Sequence, residues 1–326
     1  MSDLRIYVEN KGERADAYSI TDALVRAALP QPYRGAAINV CYSLQPDLES
    51  LGRATHFVGY GFDPQRIQRH ARQVRVVHSL SAGVEGYLPL NWMPQGAVLT
   101  NSSGAQSGKG GAYGAMAILM LNERIPQHVA SQRNAAWNRT PASAVDGKTV
   151  LVYGFGELGA AVARRIRPFG LRIVGVRHSG ASHDDADEII QPRQFRERLP
   201  EADFLVLSCP LTPETRGLIG TKELALLPEG AGLLNIARGP VVDTQALISA
   251  LASGHLGGAV LDVFDVEPLP RDSALWSAPN LVITPHTSCD DARGDLAQCL
   301  AIFGHNVALE AQGLPMRNVV DPRLGY

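Results

Sequence analysis

Four polar residues of this chain each stand just beyond a short apolar run. Arg238 follows Leu233-Leu234-Asn235-Ile236-Ala237, Asp262 closes Ala259-Val260-Leu261, Glu267 follows Val263-Phe264-Asp265, and His286 follows Ile283-Thr284-Pro285. An arginine so placed can grip a carboxylate through two parallel hydrogen bonds and polarise a neighbouring carbonyl. A histidine can hand a proton to that carbonyl oxygen as hydride reaches the carbon, and a glutamate against the other ring nitrogen favours the cation and fixes the ring. Taken singly, each residue also has a plainer role. His286 could be a satisfied or surface histidine, Arg238 a helix cap or half of a surface pair, Glu267 a turn residue before Pro268, and Asp262 an N-cap. Their common placement at the ends of apolar runs gives the set its weight.

A hydride donor is suggested upstream. Val150-Leu151-Val152-Tyr153 reads as a strand that enters the turn Gly154-Phe155-Gly156-Glu157-Leu158-Gly159, and a helix through Ile166 and a second strand over Leu171–Val176 follow. This βαβ arrangement cradles a dinucleotide pyrophosphate on backbone N–H groups at the helix start. Where an acidic residue would accept the ribose hydroxyls, the chain reads Arg177-His178-Ser179. A guanidinium there can pair with a 2′-phosphate, with His178 and Ser179 adding donors, so NADP(H) is the expected cofactor. NAD(H) remains the alternative if Arg177 is simply a solvated strand-end cation.

Such residues need a scaffold that brings strand ends together. From the start, β-branched runs (Leu4–Val8, Ala36–Tyr42, Arg75–His78, Ala97–Thr100) alternate with helical stretches such as Thr21–Leu29. The alternation predicts an α/β fold. A long helical region is expected from about Ala105 to Ala136; its Gly108, Gly110, Gly111 and Gly114 point to tight packing or a ligand-facing opening. After Asp146-Gly147-Lys148, continuous apolar strands are expected at Phe204–Ser208, Gly232–Ala237, Gly258–Val263 and Leu281–Thr284. Helices are expected between them at Pro192–Leu199, Thr221–Leu227 and Thr244–Ser253, the last stopped by Gly254. The expectation is two doubly wound parallel-sheet domains.

Bulk composition narrows the partners. With 326 residues, 45% apolar and 19% charged, and a net charge of −2, the chain has no excess of either sign to attract nucleic acid or an anionic membrane surface. Cys41, Cys209, Cys289 and Cys299 show no close pairing, and no basic-then-apolar leader opens the chain, so a cytoplasmic setting is expected. The longest apolar run, Ala115–Leu121, is far short of the ~20 residues that span a bilayer and reads as a buried helix. No metal is expected.

The order and spacing of Cys209-Pro210-Leu211-Thr212-Pro213-Glu214-Thr215-Arg216-Gly217, Asn235-Ile236-Ala237-Arg238-Gly239, Leu261-Asp262-Val263-Phe264-Asp265-Val266-Glu267-Pro268 and Thr284-Pro285-His286-Thr287-Ser288 resemble the D-isomer-specific 2-hydroxyacid dehydrogenases. The match is specific from about Val145 to Ser288, and the first hundred residues match only in pieces such as Ser81-Ala82-Gly83-Val84-Glu85 and Thr100–Gly104. The resemblance implies a Rossmann NAD(P)-binding domain, residues 105–288, inserted in a flavodoxin-like substrate domain made of 1–104 and 289–326, with the last helix, from about Asp290, returning to the first domain. It implies that Arg238 binds the substrate carboxylate and carbonyl, His286 is the acid/base and Glu267 supports it. It also implies backbone N–H groups of Ala82, Gly83 and Val84 for the substrate carboxylate, and cofactor contacts at Cys209, Pro210, Thr215, Ile236, Ala237, Asp262 and His286. A closing cleft and pairing of subunits through the nucleotide domain are implied as well.

Departures from the family pattern refine this reading. Arg177 replaces the usual acid, Glu267 stands where formate-oxidising members carry an amide, and about forty residues after His286 leave no room for the regulatory domain of many phosphoglycerate dehydrogenases. The expected activity is NADPH-dependent reduction of a small 2-oxo acid of the glyoxylate or hydroxypyruvate class to a D-2-hydroxy acid by a homodimer. The alternatives are an NAD(H)-dependent member acting on another 2-hydroxy acid and a dinucleotide-sensing, co-repressor-like binding protein. Tyr42, Tyr60, Leu80 and Trp276 are candidates for the side-chain pocket.

Overall fold

In the computed structural model, which describes residues 4–13, 19–291 and 295–326, the described strands form two all-parallel sheets. In chain order the first elements are β1 (Arg5–Asn10), α1 (Asp22–Ala28), β2 (Ala37–Tyr42), α2 (Leu48–Arg53), β3 (His56–Gly59), α3 (Pro64–His70), β4 (Val76–Ser79) and β5 (Val98–Thr100). Then come α4 (Ser107–Asn122), α5 (Ile125–Arg133), β6 (Thr149–Tyr153), α6 (Glu157–Ile166), β7 (Arg172–Val176), β8 (Glu188–Ile190), α7 (Phe195–Arg198) and β9 (Phe204–Leu207). The series closes with α8 (Thr221–Leu226), β10 (Ala231–Asn235), α9 (Thr244–Ala252), β11 (Leu256–Leu261), β12 (Leu281–Ile283) and α10 (Asp295–Ala311). The chain divides into one unit of Met1–Ala105 with Asp291–Tyr326 and a second of Gln106–Asp290.

The first unit carries the strand order β2-β1-β3-β4-β5, the flavodoxin-like winding. Alternate residues feed opposite faces, as the two-residue strand period requires. Tyr7, Phe57, Val77 and Leu99 join one core, while Ile6, Val8 and Val58 meet Leu300, Phe303 and Val307 of α10 in the other. The last helix thus packs on one face of the first unit's sheet. Its start departs from expectation: Asp290 and Asp291 are not helical, residues 292–294 lie outside the described residues, and the helix is described from Asp295.

The second unit has the order β12-β11-β10-β9-β6-β7-β8. From β6 the chain winds outward to β7 and β8, then crosses back to β9 and continues to β12. The carboxyl ends of β6 and β9 thus flank the point where winding reverses, the crevice that binds ligands in doubly wound sheets. Leu151, Tyr153, Val174, Leu205 and Leu207 face one core, and Val150, Val152, Ile173, Phe204 and Val206 the other. Helices on both faces explain why these strands read as continuous apolar runs.

The single helix expected over 105–136 is instead two. Arg124 adopts a left-handed conformation (φ 51°) at the start of α5, whose first turn contains Pro126, and both features favour a break. Three of the four α4 glycines singled out in the sequence, Gly110, Gly111 and Gly114, are packing positions. A Cβ on Gly111 would lie 2.7 Å from the Ala161 carbonyl oxygen, one on Gly114 2.5 Å from Val162, and one on Gly110 2.4 Å from Leu158, so α4 and α6 meet almost backbone to backbone. Gly108 faces open space. The stretch Pro192–Leu199 is only partly α-helical, with the short α7 between 3₁₀ turns.

Candidate active site

Along the carboxyl rim of the second sheet, the order of strands sets the order of chemistry. Arg177 follows β7, the glycine turn follows β6, Cys209 follows β9, Arg238 follows β10, Asp262 follows β11 and His286 follows β12. Arg238, Asp262 and His286 thus leave three adjacent strands.

The glycine turn has the shape a pyrophosphate needs. Gly154 is at φ +99°, and a Cβ there would sit 2.4 Å from the backbone nitrogen of Cys209. Gly159 has its α-carbon against the Gly154 carbonyl, where a Cβ would come within 2.5 Å, so strand and helix pack closely. Between them Gly156 meets nothing within 4 Å, which leaves the opening through which a phosphate can approach the backbone. Gly156 is also the cap residue of α6 and makes no side-chain cap bond, so the first-turn N–H groups of Glu157, Leu158 and Gly159 carry the positive end of the helix dipole outward. A dinucleotide fits this cradle.

Arg177 is half-buried, and its guanidinium has no ion-pair or hydrogen-bond partner among the described residues. Its backbone is pinned, the N–H donating to the Ile190 carbonyl at 3.1 Å and the carbonyl accepting from Gly180 at 3.2 Å. His178 and Ser179 beside it are exposed, and Ser179 Oγ accepts the Ala181 N–H at 3.3 Å.

Loops beyond β9 and β10 are shaped by buried polar side chains. Thr215 Oγ1 donates to the Pro210 carbonyl at 2.7 Å and accepts the Thr212 N–H at 2.8 Å, which closes the Cys209–Thr215 turn. Burial pushes the Cys209 thiol up to about 12 despite the nearby Arg238 charge, so it stays protonated and serves as packing rather than as a nucleophile. Asn235, 1% exposed, accepts the Ala237 N–H at 3.0 Å and donates to the Arg238 carbonyl at 3.0 Å. This brace places the half-buried Arg238 just past Ile236 and Ala237, with Nη1 donating to the Ala237 carbonyl at 2.7 Å.

His286 and Glu267 meet directly. The ring Nδ1 lies 2.7 Å from Glu267 Oε2, and Glu267 Oε1 accepts the Phe264 N–H at 2.9 Å. An ionised carboxylate only accepts, so Nδ1 carries a proton and Nε2 becomes the ring atom that exchanges one. Asp262 is completely buried. Its carboxylate accepts from the Thr284 hydroxyl and from the N–H groups of Thr287 and Ser288, both at 2.9 Å. That network, in which Tyr113 stands behind Thr284 and the Asn235 carbonyl accepts the Asp262 N–H at 3.1 Å, was not visible in the sequence, where polar residues inside apolar runs carry no distinguishing spacing.

Ala82, Gly83 and Val84 belong to the first unit, in the loop after β4, where Asn101 Nδ2 donates to the Ala82 carbonyl at 2.9 Å and Val84 is buried. In the same unit Tyr42 is the last residue of β2, and Tyr60 and Leu80 follow β3 and β4. Trp276 is in the second unit, 55% exposed, its indole N–H donating to the Pro270 carbonyl at 2.8 Å.

The strand order, glycine cradle and Glu–His pair are the parts that a nicotinamide-dinucleotide-dependent dehydrogenase needs. Residues 115–288 match the family model for the D-isomer specific 2-hydroxyacid dehydrogenase NAD-binding domain. D-3-phosphoglycerate dehydrogenase of Bacillus subtilis is 37% identical over 63% of this chain, a stretch that covers 39% of that enzyme's length. Glyoxylate/hydroxypyruvate reductase B of Pectobacterium carotovorum is 32% identical over 92% of this chain and 95% of its own. Among solved structures, a D-isomer specific 2-hydroxyacid dehydrogenase from Xanthobacter autotrophicus, in complex with NADPH and MES, superposes with a TM-score of 0.84 at 29% identity, covering 98% of this chain and 99% of that one. The chain belongs to the D-isomer specific 2-hydroxyacid dehydrogenase family. It is an NAD(P)-dependent oxidoreductase of that family. Among the described residues, no helix is long and apolar enough to cross a membrane.

Proposed function

We propose that this enzyme reduces a small 2-oxo acid of the glyoxylate or hydroxypyruvate class to the D-2-hydroxy acid, with NADPH as the preferred reductant. The observation that carries the chemistry is the 2.7 Å contact between His286 Nδ1 and Glu267 on the rim that also bears Arg238. When bound, the reduced nicotinamide supplies hydride to the substrate C2. Arg238 grips the substrate carboxylate and draws electron density from the carbonyl. His286, cationic and held through Nδ1, donates the Nε2 proton to the carbonyl oxygen; the carboxylate of Glu267 offsets the ring charge beforehand. In the reverse direction Nε2 accepts the hydroxyl proton.

Arg177 supports NADPH over NADH, since an unpaired guanidinium at the end of β7 stands where a 2′-phosphate would arrive and an acid would have repelled it. The Pectobacterium relative's name and the Xanthobacter complex support the same substrate class and cofactor. The cofactor contacts of this reading are Gly154 to Gly159, Arg177 to Ser179, Cys209, Pro210, Thr215, Ile236 and Ala237. His286 completes the set, whereas Asp262, also expected to touch the cofactor, is wholly buried with its carboxylate taken by Thr284, Thr287 and Ser288, and in this reading acts through its hold on the His286 loop. Two copies pair through the nucleotide-binding unit, where Met116, Ile125, Val129 and Trp137, the last 94% exposed, leave apolar surface uncovered.

The test is the nicotinamide absorbance during incubation with a panel of 2-oxo acids and each reduced cofactor. Oxidation of NADPH with glyoxylate or hydroxypyruvate is expected; no oxidation with any acid would overturn the catalytic reading in favour of a binding role.

A further inference from the structure

His286 has a left-handed backbone (φ 53°), a conformation unfavourable for a side chain with a Cβ. Something must hold it there. Its N–H donates to the carbonyls of Asp262 at 2.9 Å and Thr284 at 3.0 Å, and the next two N–H groups, of Thr287 and Ser288, donate to the Asp262 carboxylate. Asp262 is thus the hub on which the catalytic loop turns. It is wholly buried, with no cationic side chain among its hydrogen-bond partners.

A third donor to that carboxylate is the Thr284 hydroxyl, and the Thr284 oxygen lies 2.6 Å from the phenol oxygen of Tyr113 on α4. The proton directions follow from counting. Thr284 has one hydroxyl proton and an ionised carboxylate has none, so Thr284 donates to Asp262 and must accept from Tyr113. The chain of donors therefore runs from Tyr113 through Thr284 to Asp262. Tyr113 is 8% exposed, and burial raises its phenol, which keeps it a donor across the working pH range. Lys109, one turn earlier, adds a second brace: its Nζ donates to the Ser288 carbonyl at 3.2 Å and lies 5.7 Å from the Tyr113 ring centroid.

We propose that Tyr113, acting through Thr284 and Asp262, is a positioning residue for His286. The inference rests on the reading of His286 as the acid/base. By polarising the Thr284 hydroxyl toward Asp262, the phenol strengthens the anchor of three consecutive residues in the catalytic loop and keeps His286 in its strained backbone state. It touches neither substrate nor cofactor in this account.

Tyr113→Phe removes one oxygen and keeps the ring. The expected result is a fall in kcat of about tenfold, because small losses of alignment are costly to a proton transfer. The dissociation constant for NADPH, titrated by nicotinamide fluorescence, should stay within about twofold, because the glycine cradle is untouched. Thr284→Val should lower kcat further and Thr284→Ser, which restores the hydroxyl, should recover most of it. In the protein without cofactor, amide exchange followed by mass spectrometry should quicken over residues 284–288 in Tyr113→Phe and Thr284→Val, and not in the strands of the first unit. Unchanged kcat in Tyr113→Phe, or unchanged exchange over 284–288, would overturn the proposal. So would a loss of cofactor affinity in step with kcat. His286→Gln is the control: if it loses turnover while Tyr113→Phe is normal, the relay alone falls; if His286→Gln turns over normally, the acid/base reading falls and the relay with it.

Discussion

Glu267 divides its carboxylate between two tasks, one oxygen accepting the backbone N–H of Phe264 at 2.9 Å and the other facing His286 Nδ1 at 2.7 Å. The first bond fixes the carboxylate to its own loop, so the second fixes the imidazole. His286 is 49% exposed at its side chain and Glu267 35%, so the pair is open to solvent and its attraction is screened. Glu267→Gln retains a hydrogen-bonding side chain of equal size and removes the charge. Turnover is expected to fall roughly 10- to 100-fold, within the range for general acid–base catalysis. Steady-state kinetics with NADPH and glyoxylate would check it, and an undiminished kcat would show that the charge is dispensable.

Cofactor choice turns on Arg177. A charge-assisted hydrogen bond to a phosphate is worth about 1.5–3 kcal/mol, and Arg177→Asp replaces it with repulsion. The ratio of kcat/KM for NADPH to that for NADH is expected to drop at least about tenfold, each tenfold step being ~1.4 kcal/mol. An unchanged ratio would remove Arg177 from the cofactor site.

The α4 glycines separate packing from propensity. Gly108→Ala adds a methyl in open space and should stabilise the chain by up to about 1 kcal/mol through helix propensity. Gly111→Ala drives a methyl to within 2.7 Å of a backbone oxygen of α6, and overpacking of that kind costs roughly 1–3 kcal/mol. Urea denaturation of the two variants should move the midpoint in opposite directions.

Acid should loosen the first unit through His78. It is fully buried between Thr100 Oγ1, 2.8 Å from Nδ1, and Ser102 Oγ, 3.2 Å from Nε2, and burial pushes its imidazole down to about 4. The folded value lies below the ordinary value of about 6.5, so the unfolded chain takes up the proton first. Stability linked to His78 is complete above the unfolded value and is lost as pH falls from there toward the folded one, by about 3 kcal/mol in all. His78→Gln should lower stability at neutral pH yet flatten this acid loss, as read from denaturation at pH steps across that window. An equal acid loss in both proteins would contradict the assignment.

Much of the second unit was legible because its strands are covered on both faces and so read as unbroken apolar runs between glycine and proline stops. β3 escaped notice in the first unit because it is only four residues long and opens with His56, a polar residue that meets Glu310 of α10, 3.0 Å away in space and remote in sequence. The break at Arg124 follows the end of the apolar run Ala115–Leu121, and Pro126 beyond it is a residue that the first turn of a new helix accepts, so a continued helical region and a restart read alike. Arg238 and His286 were readable as strand-end residues, whereas Glu267, expected at such an end, lies in the loop well beyond the end of β11, and spacing could not say which polar residues brace them. Tyr113 lies in the long helical region with no spacing that marks it, and Asp262 could be placed at a strand end but not recognised as the hub of the His286 loop. Such roles arise from pairings between distant segments, which no local period encodes.

His286 moves the substrate proton, while the glycine turn that cradles the cofactor lies apart from it, between β6 and α6. His286→Gln is the direct measurement, with turnover of glyoxylate and hydroxypyruvate followed beside NADPH affinity in the same preparation. Turnover lower by at least about a hundredfold is expected, with the NADPH dissociation constant little changed. Near-normal turnover in that variant would contradict that role of His286.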